Sequence, residues 1–106
     1  MKRGEIWKTR FPDGKLRPGV IVSHEARNVH GENIILAGCT SRRTKTIYPT
    51  ELLLEGHNLP VPTKVQADYL FTVKKQNLQE KLGELFAPEV EKINSALTSA
   101  LQLPLR

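Results

Sequence analysis

The alternation of apolar and polar positions sets out most of the elements. In "EIWKTRF", residues 5–11, Ile6, Lys8 and Arg10 lie opposite Trp7, Thr9 and Phe11, a period of two that predicts a strand with one aromatic face. "PDGKL" predicts a short turn, because Pro12 presets φ and Asp13-Gly14 tolerates left-handed backbone. "RPGVIVS", residues 17–23, predicts a second strand with Pro18 at its opening, where a missing N–H costs least. Residues 24–33 are polar and hold a glycine, which reads as a loop or a short helical turn. "IILAGCTS", residues 34–41, is apolar on both faces and predicts a strand covered on both sides.

"RRTKT" is a cationic, hydroxyl-rich loop, and "IYPTELLL", residues 47–54, restarts a strand that Pro49 confines to an edge or a bulge. "EGHNLPVP" is a loop. In "TKVQADYL", Val65 and Ala67 alternate with Gln66 and Asp68, so the latter two are expected to project together. "KLGEL" predicts a last short strand. From Pro88 a helix is expected, with Glu89 and Glu91 facing the N-terminal dipole, Val90, Ile93, Leu97, Ala100 and Leu101 forming its apolar face, and Pro104 ending it. The order predicts a mainly β, α+β domain spanning 1–106: a small curled antiparallel sheet or barrel with a C-terminal amphipathic helix docked on it.

Composition adds little until charge is placed along the chain. At 106 residues, 39% hydrophobic and 25% charged, the sequence fits one globular domain, and a dimer would help so small a core. Residues 1–75 hold thirteen Lys and Arg against seven Asp and Glu, whereas residues 76–106 hold three against four. That excess predicts a basic patch facing a polyanion, with nucleic acid the first candidate. The lone Cys39 reads as buried spacer, and no apolar run reaches membrane-span length, so the expected location is cytoplasmic, with no membrane partner.

Zinc spacing, a glycine-rich phosphate loop and a G-x-S-x-G elbow are all missing, so no metal or cofactor is expected. What remains is polar residues at strand ends: Lys15 and Arg17 entering the second strand, Thr40 and Ser41 leaving the third, Gln66 and Asp68 in the fifth. Converged at one end of a barrel, they would make a metal-free ribonuclease site. Such a site needs a base near the ribose 2′-OH, cations around the phosphorane and a donor for the departing oxygen. RNA brings its own nucleophile. Solvated loop charges and strand-end capping explain the same residues equally well at this stage.

Beyond these patterns, the chain resembles the MazF/PemK toxins of bacterial toxin–antitoxin systems. "RGEIW", "RPGVIVS", "CTS", "VQADYLFTVKKQNL" and "LGEL" stand in that family's order over nearly the whole length. The resemblance implies an SH3-like barrel that dimerises, is held by a cognate antitoxin, and cuts single-stranded RNA without metal to 2′,3′-cyclic phosphate and 5′-OH ends. It implies that Arg17 contacts the scissile phosphate, that Thr40 and Ser41 flank it, and that Asp68 matches an acidic residue that is a base candidate in some members. Gln66 stands where some relatives carry an arginine assigned as general acid, and an amide donates a hydrogen bond without delivering a proton. Tyr69 and Phe71 depart from a common version of the motif, and the loop "FPDGKLRP" is shorter than the longest forms. Arg42, Arg43 and Lys45 are expected to track the RNA backbone, with Tyr48 stacking. Two rivals remain: a non-catalytic gyrase poison of the CcdB type acting through "SALQLPLR", and an RNA-binding barrel that does not cut.

Overall fold

The computed structural model describes residues 1–104; residues 105–106, the end of "SALQLPLR", lie outside the described residues. Six strands form one antiparallel sheet: β1 (Glu5–Arg10), β2 (Leu16–Ile21), β3 (Asn33–Thr40), β4 (Glu51–Leu54), β5 (Thr63–Lys74) and β6 (Leu78–Glu84). Their order is β4-β5-β3-β2-β1-β6, which leaves β4 and β6 as edges of a curled half-barrel. Two helices accompany it, α1 (Glu25–His30) and α2 (Ala87–Leu101).

The sheet carries a core on each face, as the apolar run of the third strand predicts. Ala37 and Cys39 pack with Ile6, Val20, Val65 and the α2 residues Ile93 and Ala96. On the other face Ile34 and Leu36 pack with Phe11, Ile21, Val73 and Leu78, against Trp7 and Phe71. Neighbours in sequence alternate between the two cores because strand side chains alternate between faces. Burial removes these groups from water at roughly 1.5–3 kcal/mol for each large aliphatic side chain.

Helix α2 starts at Ala87, one residue before the expected Pro88, because the Glu89 carboxylate accepts the free Phe86 N–H at 2.8 Å. It ends at Gln102 in the left-handed region (φ 51°), where Leu103 N–H reaches Thr98 O at 3.0 Å. The strand expected over 47–54 is confined to Glu51–Leu54. Ahead of it Glu51 is spent on the loop, its N–H bonding Tyr48 O at 2.9 Å and its carboxylate accepting Tyr48 N–H at 3.0 Å. The last strand is longer than "KLGEL", and β5 runs on through Lys74 to a 3-10 turn at Lys75–Asn77.

Candidate active site

The site grows from the β1–β2 hairpin. Gly14, at φ +84°, lets the chain reverse, closed by Gly14 N–H to Phe11 O at 2.8 Å. Asp13 then works inside its own turn: Oδ1 accepts Lys15 N–H at 2.9 Å and Oδ2 accepts the Arg17 guanidinium at 2.7 Å. The guanidinium also lies 5.2 Å from the centroid of the Phe11 ring. Arg17 is thus aimed by a carboxylate and an aromatic face, both from β1 and its turn.

Strand pairing decides what Arg17 faces. Gly19 of β2 pairs with Gly38 of β3, so the start of β2 and the end of β3 share one end of the sheet. There a cavity of about 460 Å³ opens, walled on one side by Lys15, Arg17, Thr40, Ser41 and Arg42, and on the other by Leu59, Pro60, Val61 and Thr63. Three cations and the hydroxyls of Thr40, Ser41 and Thr63 meet in it, and among the described residues none of its lining side chains is a carboxylate. The arrangement suits a phosphate: cations for charge, hydroxyls for hydrogen bonds. Thr40 Oγ1 accepts Arg42 N–H at 3.1 Å, which orders the start of the loop and leaves the hydroxyl hydrogen free to donate. Cys39 forms part of the floor, and burial pushes its thiol up to about 12, so it is neutral.

A smaller cavity of about 140 Å³ adjoins the first and shares Arg17, Cys39 and Thr40 with it. Its remaining lining is Phe11, Gly38, Gln66, Tyr69 and Phe71. The paired glycines make room for the rings: a Cβ on Gly19 would sit 3.0 Å from Phe11, and one on Gly38 3.2 Å from Phe71. Phe11 and Phe71 then meet edge to face at 5.0 Å.

A buried ion pair that residue spacing does not reveal lies behind Gln66. Lys64 and Glu51 are buried, 2.9 Å apart, and Lys64 Nζ also donates to Thr46 O at 3.0 Å. The second Glu51 oxygen accepts the Gln66 side-chain amide at 3.4 Å. Burial alone would raise Glu51, but the Tyr48 N–H, Lys64 and Gln66 outweigh it and hold the carboxyl below its usual range. Together these bonds tie the cationic loop 42–50 to the sheet. Alternation puts Lys64 and Gln66 on the same outward face, so no spacing signal marks the lysine as buried; the β4–β5 register does.

The loop 55–62 that walls the large cavity has its own anchor. His57 Nε2 lies 2.8 Å from Glu89 Oε1, and its ring stacks on Phe86 at 4.5 Å. Among the sequence candidates, Lys15, Arg17, Thr40, Ser41 and Arg42 line the large cavity and Gln66 the small one. Arg43 and Lys45 lie further along the same loop and line neither. Asp68 also lines neither; it is exposed and accepts Thr50 Oγ1–H at 3.3 Å. The ladder breaks here: Ala37 pairs with Leu70 but Gly38 with Gln66, so residues 67–69 bulge out of the β3 pairing and Asp68 is carried on that bulge. Among the described residues no three His, Cys, Asp or Glu side chains cluster as a metal site would need.

The fold that carries this cavity recurs in known proteins. Residues 2–101 match the model of the PemK-like, MazF-like toxins of type II toxin–antitoxin systems. The chain belongs to this family. It is 36% identical over 102 residues to endoribonuclease MazF1 of Mycobacterium bovis, covering 96% of this chain and 93% of that protein. An endoribonuclease MazF of Staphylococcus saprophyticus is 26% identical over 111 residues, 97% of this chain and 92% of that one. A mycobacterial endoribonuclease solved in complex with its cognate antitoxin superposes with a TM-score of 0.87 at 32% identity, covering 100% of this chain and 99% of that one. The MazE–MazF complex of Deinococcus radiodurans gives 0.79 at 26%, covering 98% and 97%. The MazF/PemK fold accounts for the half-barrel and its C-terminal helix.

Proposed function

We propose that this MazF/PemK-family chain is a toxin endoribonuclease that cleaves single-stranded RNA in the cavity between β2, β3 and the loop 55–62. The observation that carries the reading is the meeting of Lys15, Arg17 and Arg42 with the Thr40 and Ser41 hydroxyls in one cavity. The ribose 2′-OH attacks the adjacent phosphorus, the P–O5′ bond breaks, and the products are a 2′,3′-cyclic phosphate and a 5′-OH, with no metal in the step. Arg17 stabilises the phosphorane charge, while Thr40 and Ser41 donate to its oxygens. Asp68, outside both cavities, is assigned the 2′-OH proton through an intervening water. Lys15 and water are the donors left for the 5′ oxygen, since a guanidinium holds its proton too tightly. Arg42, Arg43 and Lys45 follow the backbone beyond the cut, and Gln66 contacts it at the small cavity.

The partners follow from the same surface. An acidic, partly disordered antitoxin segment fits the basic cavity and would exclude RNA from it. The apolar groove between α2 and the sheet, lined by Val22, Ile35, Leu70, Leu97, Leu101 and Leu103, is assigned to a second copy of the chain. A substrate such as mRNA places the reaction in the cytoplasm.

The test is cleavage of long single-stranded RNA in chelator, with the ends analysed. Arg17→Ala is expected to lose about a hundredfold or more in rate, and Asp68→Asn a similar amount. Full activity of Arg17→Ala and Thr40→Ala would reject the site; full activity of Asp68→Asn alone moves the base to Asp13.

A further inference from the structure

The Lys64–Glu51 pair stands where the sheet alone does not call for it. Both side chains are less than a tenth exposed, and apolar side chains of similar volume often match or exceed the stability of such a buried pair. Its other bonds supply a reason. Lys64 Nζ donates to Thr46 O at 3.0 Å, Glu51 Oε1 accepts Tyr48 N–H at 3.0 Å, and the ammonium lies 5.7 Å from the Tyr48 ring centroid. All three contacts reach the loop 42–50, and apolar side chains could make neither backbone bond.

The held segment is strained at one residue. Arg43 has φ +53°, left-handed backbone that a residue with a Cβ keeps only where its surroundings enforce it. A turn closes beside it, with Thr46 N–H reaching Arg43 O at 3.2 Å. On the other side Arg42 N–H is fixed on Thr40 Oγ1 at 3.1 Å. The loop is thus pinned on both sides of Arg43, at the cavity by Thr40 and at the sheet by the ion pair. Arg42, between the first pin and the strained turn, lines the large cavity.

We propose that Glu51 and Lys64 are positioning residues for nucleic-acid binding: by holding Thr46 and Tyr48 they keep the left-handed turn at Arg43 and present the Arg42 guanidinium to a phosphate in the large cavity. The proposal deepens the ribonuclease reading and rests on it for the nature of the polyanion. Losing the pair would leave the charge of the loop unchanged, so what the pair supplies is place rather than attraction. A cation already in place gives up less freedom when the strand arrives.

A double-mutant cycle reads that coupling apart from stability. The anchor is removed by Glu51→Leu and Lys64→Met together, a change that leaves no buried charge alone, and folding is checked by circular dichroism and chemical denaturation. Affinity for an all-deoxy single strand, which lacks the 2′-OH and is not cut, is measured with and without Arg42→Ala. Arg42→Ala is expected to weaken binding about fivefold in the native chain and less than about twofold without the anchor. Equal losses in the two backgrounds, or no loss in the native chain, overturn the proposal. A pair that served only the core would alter denaturation and leave the effect of Arg42→Ala untouched. Where the double variant does not fold, hydrogen exchange of the native chain decides. A Tyr48 amide protected about tenfold or more over an exposed loop amide supports the anchor, and exchange at the exposed rate overturns it. Cleavage of long single-stranded RNA in chelator is run alongside. No cleavage with the cycle as expected overturns the ribonuclease reading and keeps the anchor; cleavage with equal losses keeps the ribonuclease reading and discards the anchor.

Discussion

Arg17 has two engagements in the free molecule, the Asp13 carboxylate at 2.7 Å and the Phe11 ring. Both partners of the ion pair are about half exposed, so the bridge is worth no more than about 1 kcal/mol and mainly restricts where the guanidinium points. A phosphate in the cavity competes with Asp13 for the same N–H groups. Asp13→Asn is therefore expected to tighten RNA binding at low salt by less than tenfold, and the gain should fade as salt screens the remaining charge. A tenfold or greater loss of affinity in that variant would show that Asp13 aims the guanidinium more than it competes. Cys39, neutral and enclosed beneath the same cavity, is expected to react with iodoacetamide at pH 8 far more slowly than free cysteine; alkylation at the free-thiol rate would refute its burial.

Among the elements, β4 and β5 hold the loop 42–50 through one buried pair, and α2 holds the loop 55–62 through Glu89. Glu51→Gln leaves the Lys64 ammonium buried without its counter-charge, a loss of about 3–5 kcal/mol expected from chemical denaturation at neutral pH. The pH dependence has a definite sign. The folded-state pKa of Glu51 is depressed, so its contribution is fully present above the ordinary carboxylate pKa and disappears as pH falls through the lower folded value. The variant should show a shallower acid limb than the native chain; an equal slope would remove Glu51 from the account. Glu89→Ala removes both the Phe86 N–H cap and the His57 contact, for a loss of about 1–2 kcal/mol. Because Leu59, Pro60 and Val61 wall the large cavity, the same change should speed hydrogen exchange in residues 57–61 ahead of the rest; uniform protection would sever α2 from the cavity wall.

At the scale of the molecule, a half-barrel with two cores leaves an apolar groove beside α2, with Leu101 and Leu103 about half exposed. For a chain of 106 residues, with a small core for its surface, covering that groove with a second copy adds burial that the monomer lacks. Sedimentation of the native chain at micromolar concentration is expected to give twice the monomer mass, and Leu101→Glu the monomer mass with a retained fold. A monomeric native chain would leave the groove for another partner. Among the described residues no helix is long and apolar enough to cross a membrane.

Local rules carried the elements: alternation in residues 5–11, the β-forming run at 63–70, the Asp13-Gly14 turn and the apolar stripe of α2 are all properties of neighbouring residues, so they are readable from the chain alone, whereas Pro18, expected at the opening of its strand, is the third residue of β2 and pairs with Lys8. Arg17, Thr40 and Ser41 could be named as strand-end residues for the same reason. Their meeting is another matter, because the pairing of Gly19 with Gly38 is a contact between distant residues that no spacing encodes. The place of Asp68 outside both cavities has the same origin, since residues 67–69 bulge out of the β3 ladder. Burial of Lys64, on a face its alternation marks as outward, depended on Glu51 of β4 reaching it diagonally from opposite Gln66. Residue order thus determined which groups are present and how each strand faces; tertiary structure decided which of them share a cavity, because side-chain proximity across a sheet is set by register.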